Sequence, residues 1–225
     1  MTCHHHQPSR RRPLALLLLG LLTATAAGGC EMAGVLAHAA VGDKKPILDV
    51  EAEYRGLDNQ TIAVLVNASD SVLLQQPRAP LEAGTVVSEA LAGNIPGARV
   101  ISAREIAAFQ NRNLYWDTEP FSRLAERLKV SRLVLIELGA YRLHEPGNIN
   151  IWQGVMRARV VVAEADGPRP NDAAYSTDIH VRYPPDGPVG LVRADDATMR
   201  FATLDLFAKK VAGKFYDHIE DPNQP

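Results

Sequence analysis

The sequence has only two cysteines, Cys3 and Cys30, among 225 residues. So small a number excludes the disulfide frameworks that hold small secreted domains together, and the fold must therefore rest on core packing. Aromatic residues are also scarce at 6%, but 46% of the residues are hydrophobic, which is enough for a substantial core. The length allows one large domain or two small ones.

Neither positive nor negative charge predominates in the sequence. The formal net charge is −2, and the main basic run is Arg10 to Arg12. Loss of a leader that ends before Cys30 would remove three of the 24 basic residues and none of the 26 acidic ones, so the charge becomes 21 − 26 = −5. A mildly acidic chain of this kind is not expected to bind nucleic acid.

Long hydrophobic runs are lacking too. The longest uncharged apolar run, Leu14 to Gly29, is shorter than the roughly 20 residues that a transmembrane helix needs. Arginines precede this run and small residues end it, which is typical of a secretory signal. An uncleaved membrane anchor and an ordinary secretory signal both stay open as alternatives to the lipoprotein signal considered next.

The end of the run, Ala27-Gly28-Gly29-Cys30, resembles a bacterial lipobox, with Ala27 where leucine is usual. The resemblance implies a signal peptide at residues 1–29 and a lipoprotein whose Cys30 carries acyl chains such as palmitate. It also implies a lipid-anchored protein on the periplasmic side of the cell envelope; the outer membrane is expected, and the inner membrane stays open as the alternative. Cys3 would be discarded with the leader. The twin-arginine and general export routes both stay open.

Residues 30–45 are predicted to be a tether, and residues 46–222 a single domain in which strand and helix patterns alternate. Thr61 to Val66 is a nearly continuous apolar run, typical of a strand buried on both faces. Ser102 and Glu105 form a capping-box pattern at the start of a helix. The other predicted elements are a helix over 81–94, a strand at 99–101, a helix from 121, and strands over 133–143, 154–164 and 175–183.

The last part of the chain has the clearest periodicity. Apolar and polar residues alternate from Tyr175 to Tyr183, which indicates a strand with one solvated face. An amphipathic helix of about six turns is predicted from the helical spacing of Phe201, Leu204, Ala208, Val211, Phe215 and Ile219, with Phe207 off its apolar stripe. The fold class is α/β: one sandwich with a mixed sheet of about five strands, helices packed on it, and a long carboxy-terminal amphipathic helix.

Three stretches carry a family resemblance: AEYRGLDNQTIAVLV, ARVISAREI and RLAERLKVSRLVLIELGAYRL. They resemble periplasmic lipoproteins of the curli-secretion-channel and penicillin-binding-protein-activator type, whose α/β domain is similar to the amino-terminal domain of the Tol–Pal propeller protein. AEYRGL is most similar to planctomycete lipoproteins. The resemblance covers roughly Ala52 to Glu220 and implies the fold and the location, but no partner residues. Ser131-Arg132 departs from the small and acidic pair usual there.

No catalytic residue, metal site or cofactor is predicted. The histidines that could ligate a metal show no ligand spacing on one element: His38, His144, His180 and His218. Ser69-Asp70-Ser71 follows a strand but lacks a glycine elbow or a phosphate loop, and turn chemistry explains it as well. Glu137 is interpreted as marking the exit of its strand to solvent. The protein is therefore not expected to be an enzyme.

Aromatic residues in connections are the candidate interaction site. Tyr115, Trp116 and Phe121 are interspersed with Arg and Asn, a composition that interface hot spots favour. Trp152 lies near a predicted hairpin tip, Asn148 to Trp152. The alternative is that Tyr115 and Trp116 pin their loop to the core. 

These patterns predict a lipid-anchored interaction or assembly module of the cell envelope, serving envelope biogenesis or secretion. The expected partners are the membrane, through the lipid anchor, and an envelope protein or a second copy of the chain. The alternative function is a periplasmic small-ligand binder or a hydrolase without a recognisable motif.

Overall fold

The computed structural model describes residues 47–190 and 194–221. The chain divides after Pro46, and a second compact unit begins at Ile47. The predicted signal peptide, Cys30 and the tether therefore lie outside the described residues. In the two described ranges, every helix is too short or too polar to cross a membrane.

Strands and helices alternate in the first part of the described chain, as predicted. The strands are β1 (Leu48–Val50), β2 (Thr61–Ala68), β3 (Arg99–Val100), β4 (Arg132–Glu145), β5 (Asn148–Glu164), β6 (Ala173–Tyr183), β7 (Val189–Gly190) and β8 (His218–Glu220). The helices are α1 (Asp70–Gln75), α2 (Ala79–Asn94), α3 (Ala103–Arg112), α4 (Phe121–Leu128) and α5 (Asp196–Ala212), with a 3₁₀ turn at Trp116–Thr118.

Within the described residues, the main sheet is mixed and has the order β3-β2-β4-β5-β6, with β7 also paired to β5. β2 runs parallel to β3 and β4, whereas β4, β5 and β6 are successive antiparallel neighbours. β1 and β8 form a separate two-stranded antiparallel sheet. The predicted α/β class with a mixed sheet is confirmed. The strands β1, β7 and β8 are too short to leave a periodic pattern in the sequence.

The two faces of the sheet are covered unequally. Face A packs against α2 and α5 and forms the larger core, to which β2 contributes Val64 and Val66. Face B packs against α3 and α4 over β2 and the start of β4, where Ala63 and Leu65 are buried. This two-sided burial explains the continuous apolar run of β2. The remainder of face B, over β5 and β6, carries exposed polar side chains.

Helix starts follow the capping signals in the sequence. The Ser102 side chain accepts a hydrogen bond from the Glu105 backbone N–H at 3.3 Å, and Asp195 accepts one from Thr198 at 2.7 Å. These caps satisfy N–H groups that the first turn of a helix leaves without partners. α4 ends at Leu128, and the residue that follows, Lys129, adopts the left-handed conformation with φ of 55°. The helix starts at 103 and 121 are as predicted.

The apolar stripe predicted for the last helix is confirmed at Leu204, Ala208 and Val211 and is wrong at its ends. α5 ends at Ala212, so Phe215 lies beyond the helix and Ile219 lies on β8. Phe201 is 73% exposed, whereas Phe207 is fully buried. The buried face contains Met199, Thr203, Leu204, Phe207, Ala208, Val211 and Ala212.

Close packing at one glycine fixes which side of α5 faces the sheet. A Cβ atom on Gly154 would lie 1.8 Å from the Thr203 hydroxyl oxygen, so only glycine allows α5 to approach β5 this closely. The contact turns Thr203 and Phe207 toward face A and Phe201 toward solvent. No local pattern in the helix encodes this pairing.

Candidate functional site

A crevice opens at the carboxyl end of β2. Its walls are α1, the start of α2, the end of α3 and the connection from α3 to α4, and its volume is about 420 Å³. Side chains that line it include Leu73, Pro77, Leu81, Gln110, Leu114 and Trp116. Most of this lining is apolar.

The topology explains why a crevice forms there. After β2 the chain crosses face A through α2 to reach β3, and after β3 it crosses face B through α3 and α4 to reach β4 on the other side of β2. The connections on the two sides of β2 therefore diverge at its carboxyl end. In open α/β sheets such a switch point is the usual place for ligand binding.

Hydrogen bonds hold the wall on the α3 side in place. Gln110 donates from its amide to the Val66 carbonyl oxygen at 3.1 Å, and Asn113 donates to the Phe109 carbonyl oxygen at 2.6 Å. Thr118 donates to the Tyr115 carbonyl oxygen at 2.8 Å. Trp116 packs with Phe109 in the core on face B. The connection from α3 to α4 is therefore fixed to the sheet by both polar and apolar contacts.

Exposed hydrophobic side chains surround the crevice. Leu114 and Tyr115 are each 79% exposed, and Leu74 on α1 is 85% exposed. Leu73 and Leu81 on the opposite wall are also exposed. Half of the ten large exposed hydrophobic residues in the described chain therefore lie on the segments that form the crevice. Such clustering marks interaction sites more often than scattered single residues do.

A cluster of polar and aromatic side chains lies at the opposite end of the main sheet from the crevice. The Tyr54 hydroxyl donates to Glu164 at 2.5 Å, and the Tyr54 and Tyr175 rings stack with centroids 5.4 Å apart. Lys214 donates to Glu53 at 2.5 Å, as does the Tyr175 hydroxyl. We call the cluster of Glu53, Tyr54, Glu164, Tyr175 and Lys214 the amino-terminal clamp, because it holds the first described segment against the sheet.

The clamp changes the pKa of its members. Burial, reinforced by the Glu164 carboxylate, raises the pKa of the Tyr54 hydroxyl above its ordinary value. Burial and the bond to Glu53 raise the pKa of Tyr175 to about 12. The Lys214 ammonium, followed by Tyr175, lowers the pKa of Glu53. All three shifts favour the hydrogen-bonded protonation states, which are those of a structural clamp.

No protein-family model matches the chain, and no curated protein matches it. Solved structures with a similar chain path include the PelC dodecamer from Paraburkholderia phytofirmans, with TM-score 0.46, 11% identity, and coverage of 77% of this chain and 99% of that one. Lipoprotein GNA1162 from Neisseria meningitidis has TM-score 0.37, 15% identity, and coverage of 65% and 94%. The LpoB C-terminal domain from Salmonella enterica has TM-score 0.28, 9% identity, and coverage of 56% and 85%. Bacterial lipoproteins are thus among the similar structures, and no residue role is transferred from them.

The structure separates the aromatic residues proposed as one interaction site. Tyr115 is exposed beside the crevice, and Phe121 is partly buried against the core on face B. Trp116 is 7% exposed and lines the crevice from the core, as the pinning alternative expects. Trp152 is equally buried, but in the core on face A, where its ring stacks on His144 at 4.0 Å. The two tryptophans therefore do not share a surface.

The structure also shows where the other residues considered from the sequence lie. Ser69 precedes α1, and its hydroxyl lies 3.0 Å from that of Ser71, so the triplet forms the start of a helix. Glu137 and His180 are exposed on face B. No group of three or more His, Cys, Asp or Glu residues within 47–190 and 194–221 could hold a metal ion. His38 lies outside the described residues.

Sequence reasoning missed most of the crevice. Pro77, Arg78 and Gln110 line it but belong to no motif. The position of Ser69 just after a predicted buried strand was the signal that could have found them, because ligand sites in α/β sheets favour the carboxyl ends of such strands.

Proposed function

We propose that the protein is a lipid-anchored accessory of the bacterial cell envelope that binds a partner protein at the crevice. Acyl chains on Cys30 would hold it on the periplasmic side of the outer membrane. The observation that carries this proposal is the clustering of exposed leucines and Tyr115 around the crevice. The lipobox-like end of the leader supports the anchor.

Burial of apolar surface supplies the driving force. Removing apolar area from water is worth about 25 cal/mol per Å², so covering Leu114 and its neighbours would favour association. The wall that carries Leu114 and Tyr115 is already fixed by the bonds of Gln110, Asn113 and Thr118. Little conformational freedom is then lost on binding. A membrane tether raises the effective concentration of the partner further.

Site-specific photo-cross-linking in intact envelopes tests the docking site. A photoreactive residue at position 114 is expected to trap a discrete partner, and Leu114→Ser should abolish recovery of that partner without lowering the melting temperature. The matched control is Ile219, which is 69% exposed on β8 at the clamp end of the sheet. A photoreactive residue at 219 should trap no such product. Equal cross-linking at both positions would sink the crevice as the docking site.

Mass spectrometry of the mature amino terminus tests the anchor. Two or more acyl chains give stable membrane binding, whereas one chain binds only marginally. We expect the first residue to be Cys30 carrying diacylglycerol, and Cys30→Ala to release the protein from membranes. An unmodified amino terminus, or a Cys30→Ala variant that stays membrane-bound, contradicts the proposal.

A small ligand is the second candidate occupant, favoured by the position of the crevice at the switch point of the sheet. The chain has two tryptophans, so Trp152→Phe leaves Trp116 in the crevice wall as the single tryptophan emitter. A ligand from an envelope metabolite extract should shift the emission of this variant. Trp116→Phe, which leaves only Trp152, is the control. A shift produced by a low-molecular-weight fraction would favour the ligand over the protein partner.

A further inference from the structure

β6 is the outer strand of the main sheet in the described part of the chain. It pairs with β5 on one side, and its other edge faces away from the sheet. Val162 pairs with Tyr175 and Ala163 with Ala173, so Ala174 is an extra, bulged residue. Pro184, which has no N–H donor, follows the strand at its other end. The regular part of this edge is therefore Tyr175–Tyr183.

This edge lacks most of the protections that natural sheet edges carry. Lysines, internal prolines, bulges and inward-pointing charges usually keep an edge strand from pairing with another chain. Tyr175–Tyr183 contains no lysine and no proline, and its side chains toward face A include the buried Ile179 and Val181. Its charged groups all point to face B. In the described part of the chain, no backbone hydrogen bond reaches the outer edge of Tyr175–Tyr183, so its outer N–H and C=O groups can pair with another strand.

The midpoint of the regular run is Ile179. If a second copy pairs antiparallel about a two-fold axis at Ile179, Asp178 lies opposite the partner's His180, and Ser176 lies opposite the partner's Arg182. Both pairs occur twice because of the symmetry. Tyr175 lies opposite the partner's Tyr183. Asp178 can accept a hydrogen bond from the partner's His180, and Ser176 can accept one from the partner's Arg182. Such polar pairs and aromatic cross-strand pairs stabilise a sheet, so the pairs of this register are complementary.

Other registers would pair the two β6 strands less favourably. An axis at Asp178 places that carboxylate opposite its own copy, and directly opposed like charges destabilise a strand pair. An axis at His180 leaves Tyr175 opposite residues beyond Pro184 and shortens the pairing. A slip of a single residue would place the polar side chains of one strand on the apolar face of the other.

The charges on the existing sheet continue the same arrangement. In adjacent strands Glu137 pairs with Arg159, and Arg159 pairs with Asp178, so alternating charges cross face B toward the edge. In the next row His180 pairs with Arg157. The partner's His180, with the partner's Arg157 behind it, would therefore extend the row with a basic group beside Asp178.

We propose that two copies of the protein associate through antiparallel pairing of their β6 strands about Ile179, forming one continuous sheet. The interaction uses a different part of the molecule from the crevice, which stays open in both copies. It does not depend on the proposed function, since a dimer can form whether or not a partner binds the crevice.

Cross-linking of the full chain in membranes tests the register. Two differently tagged copies, one with Asp178→Cys and the other with His180→Cys, are co-expressed and treated with a short thiol-to-thiol reagent. We expect a mixed dimer in this pair and little product when both copies carry the same substitution. Any contribution from Cys3 or Cys30 would be the same in every sample, so neither cysteine can account for the difference. Equal product from Asp178→Cys alone would overturn the register.

Charge variants in sedimentation experiments on the detergent-solubilised full chain give a second test. His180→Lys places two new cations opposite the partner's Asp178 and should lower the dimer dissociation constant about 2- to 30-fold. His180→Glu should raise it by a similar factor, and adding Asp178→Lys to His180→Glu should restore dimerisation. Within each copy position 180 lies opposite Arg157, so Lys there should slightly lower the melting temperature of the monomer and Glu should slightly raise it. The dissociation constants are therefore measured well below the melting transition, where all variants are folded. A wild-type chain that stays monomeric at all concentrations, or a weakened His180→Lys dimer, would refute the proposal.

Discussion

At the scale of single residues, Arg132 is the buried charge that orders the start of β4. Its Nε donates to the Gly56 carbonyl oxygen at 2.7 Å, and its Nη1 donates to the Ser131 carbonyl oxygen at 2.9 Å and to Asp166. Gly56 itself must be glycine, because a Cβ atom would lie 2.1 Å from the Tyr54 hydroxyl oxygen. The glycine of AEYRGL therefore has a packing role. Arg132 joins this segment to the sheet.

We expect Arg132→Met to destabilise the fold by about 1–3 kcal/mol, because the Gly56 carbonyl oxygen loses its charged donor. Chemical denaturation measures the change. Arg123→Met is the matched control: Arg123 is 70% exposed in a helical i,i+4 pair with Glu119, so its loss should cost less than about 0.5 kcal/mol. Equal losses in the two variants would show that the bonds of Arg132 contribute no more than a surface ion pair.

Tyr54 gives the clamp a dependence on alkaline pH. Because burial raises its pKa, the neutral hydroxyl is favoured in the folded state. The stability from Tyr54 is therefore fully present below about pH 10, the pKa of an unfolded tyrosine, and is lost as the pH rises through the higher folded value. Denaturation between pH 8 and 11 should show the advantage of wild type over Tyr54→Phe shrinking above pH 10. Tyr115→Phe, at an exposed position, should match wild type throughout.

At the scale of elements, α5 shows how a helix with two candidate apolar stripes chooses one. Phe201 and Phe207 are six residues apart on the same helix, and only Phe207 contacts the core. Gly154 on β5 admits Thr203 so closely that the helix can approach the sheet only on that side. The choice is therefore made by the strand that the helix packs against.

Truncation of these two phenylalanines should change the free energy of unfolding by very different amounts. Phe207→Ala removes a fully buried ring and should cost about 3–5 kcal/mol, a large part of the roughly 5–15 kcal/mol that stabilises a domain. Phe201→Ala removes a ring that is 73% exposed and should change the free energy of unfolding by less than about 0.5 kcal/mol. Thermal melts of the two variants provide the comparison. A greater loss for Phe201→Ala would mean that α5 docks through its other face.

At the scale of the whole molecule, one group of contacts joins the beginning of the described chain to its end. β1 pairs with β8, Arg55 bonds Asp217 at 2.5 Å, and Lys214 bonds Glu53. Lys210 also bonds Glu220. In the proposed lipoprotein, β1 is the first strand after the tether.

Acid should loosen the β1–β8 ribbon before the main sheet. Hydrogen bonds from Lys214, Arg55 and Lys210 lower the pKa of Glu53, Asp217 and Glu220, respectively. Their contribution is present above the ordinary carboxyl pKa of about 4 and is lost as the pH falls through the lowered folded values. Hydrogen exchange, corrected for intrinsic rates, should therefore accelerate in β1 and β8 below about pH 4 while β4 and β5 stay protected. Simultaneous loss of protection in all four strands would contradict this order.

The sequence alone determined what depends on near neighbours along the chain. Alternation in β6, two-sided burial of β2 and the cap at Ser102 are local patterns, and the structure has them as predicted. Together they were sufficient for the α/β class and the mixed sheet.

Tertiary structure alone decided which surfaces meet. Trp116 and Trp152 both belong to predicted connections in the sequence, but they lie in cores on opposite faces of the sheet. Phe207 is buried on the side of α5 where Gly154 admits Thr203. The crevice exists because connections on both sides of β2 diverge, a property of strand order. Short strands such as β1 and β8 form only where distant segments pair. Burial and site geometry depend on contacts between residues far apart in the chain, and periodicity within one element carries no information about them.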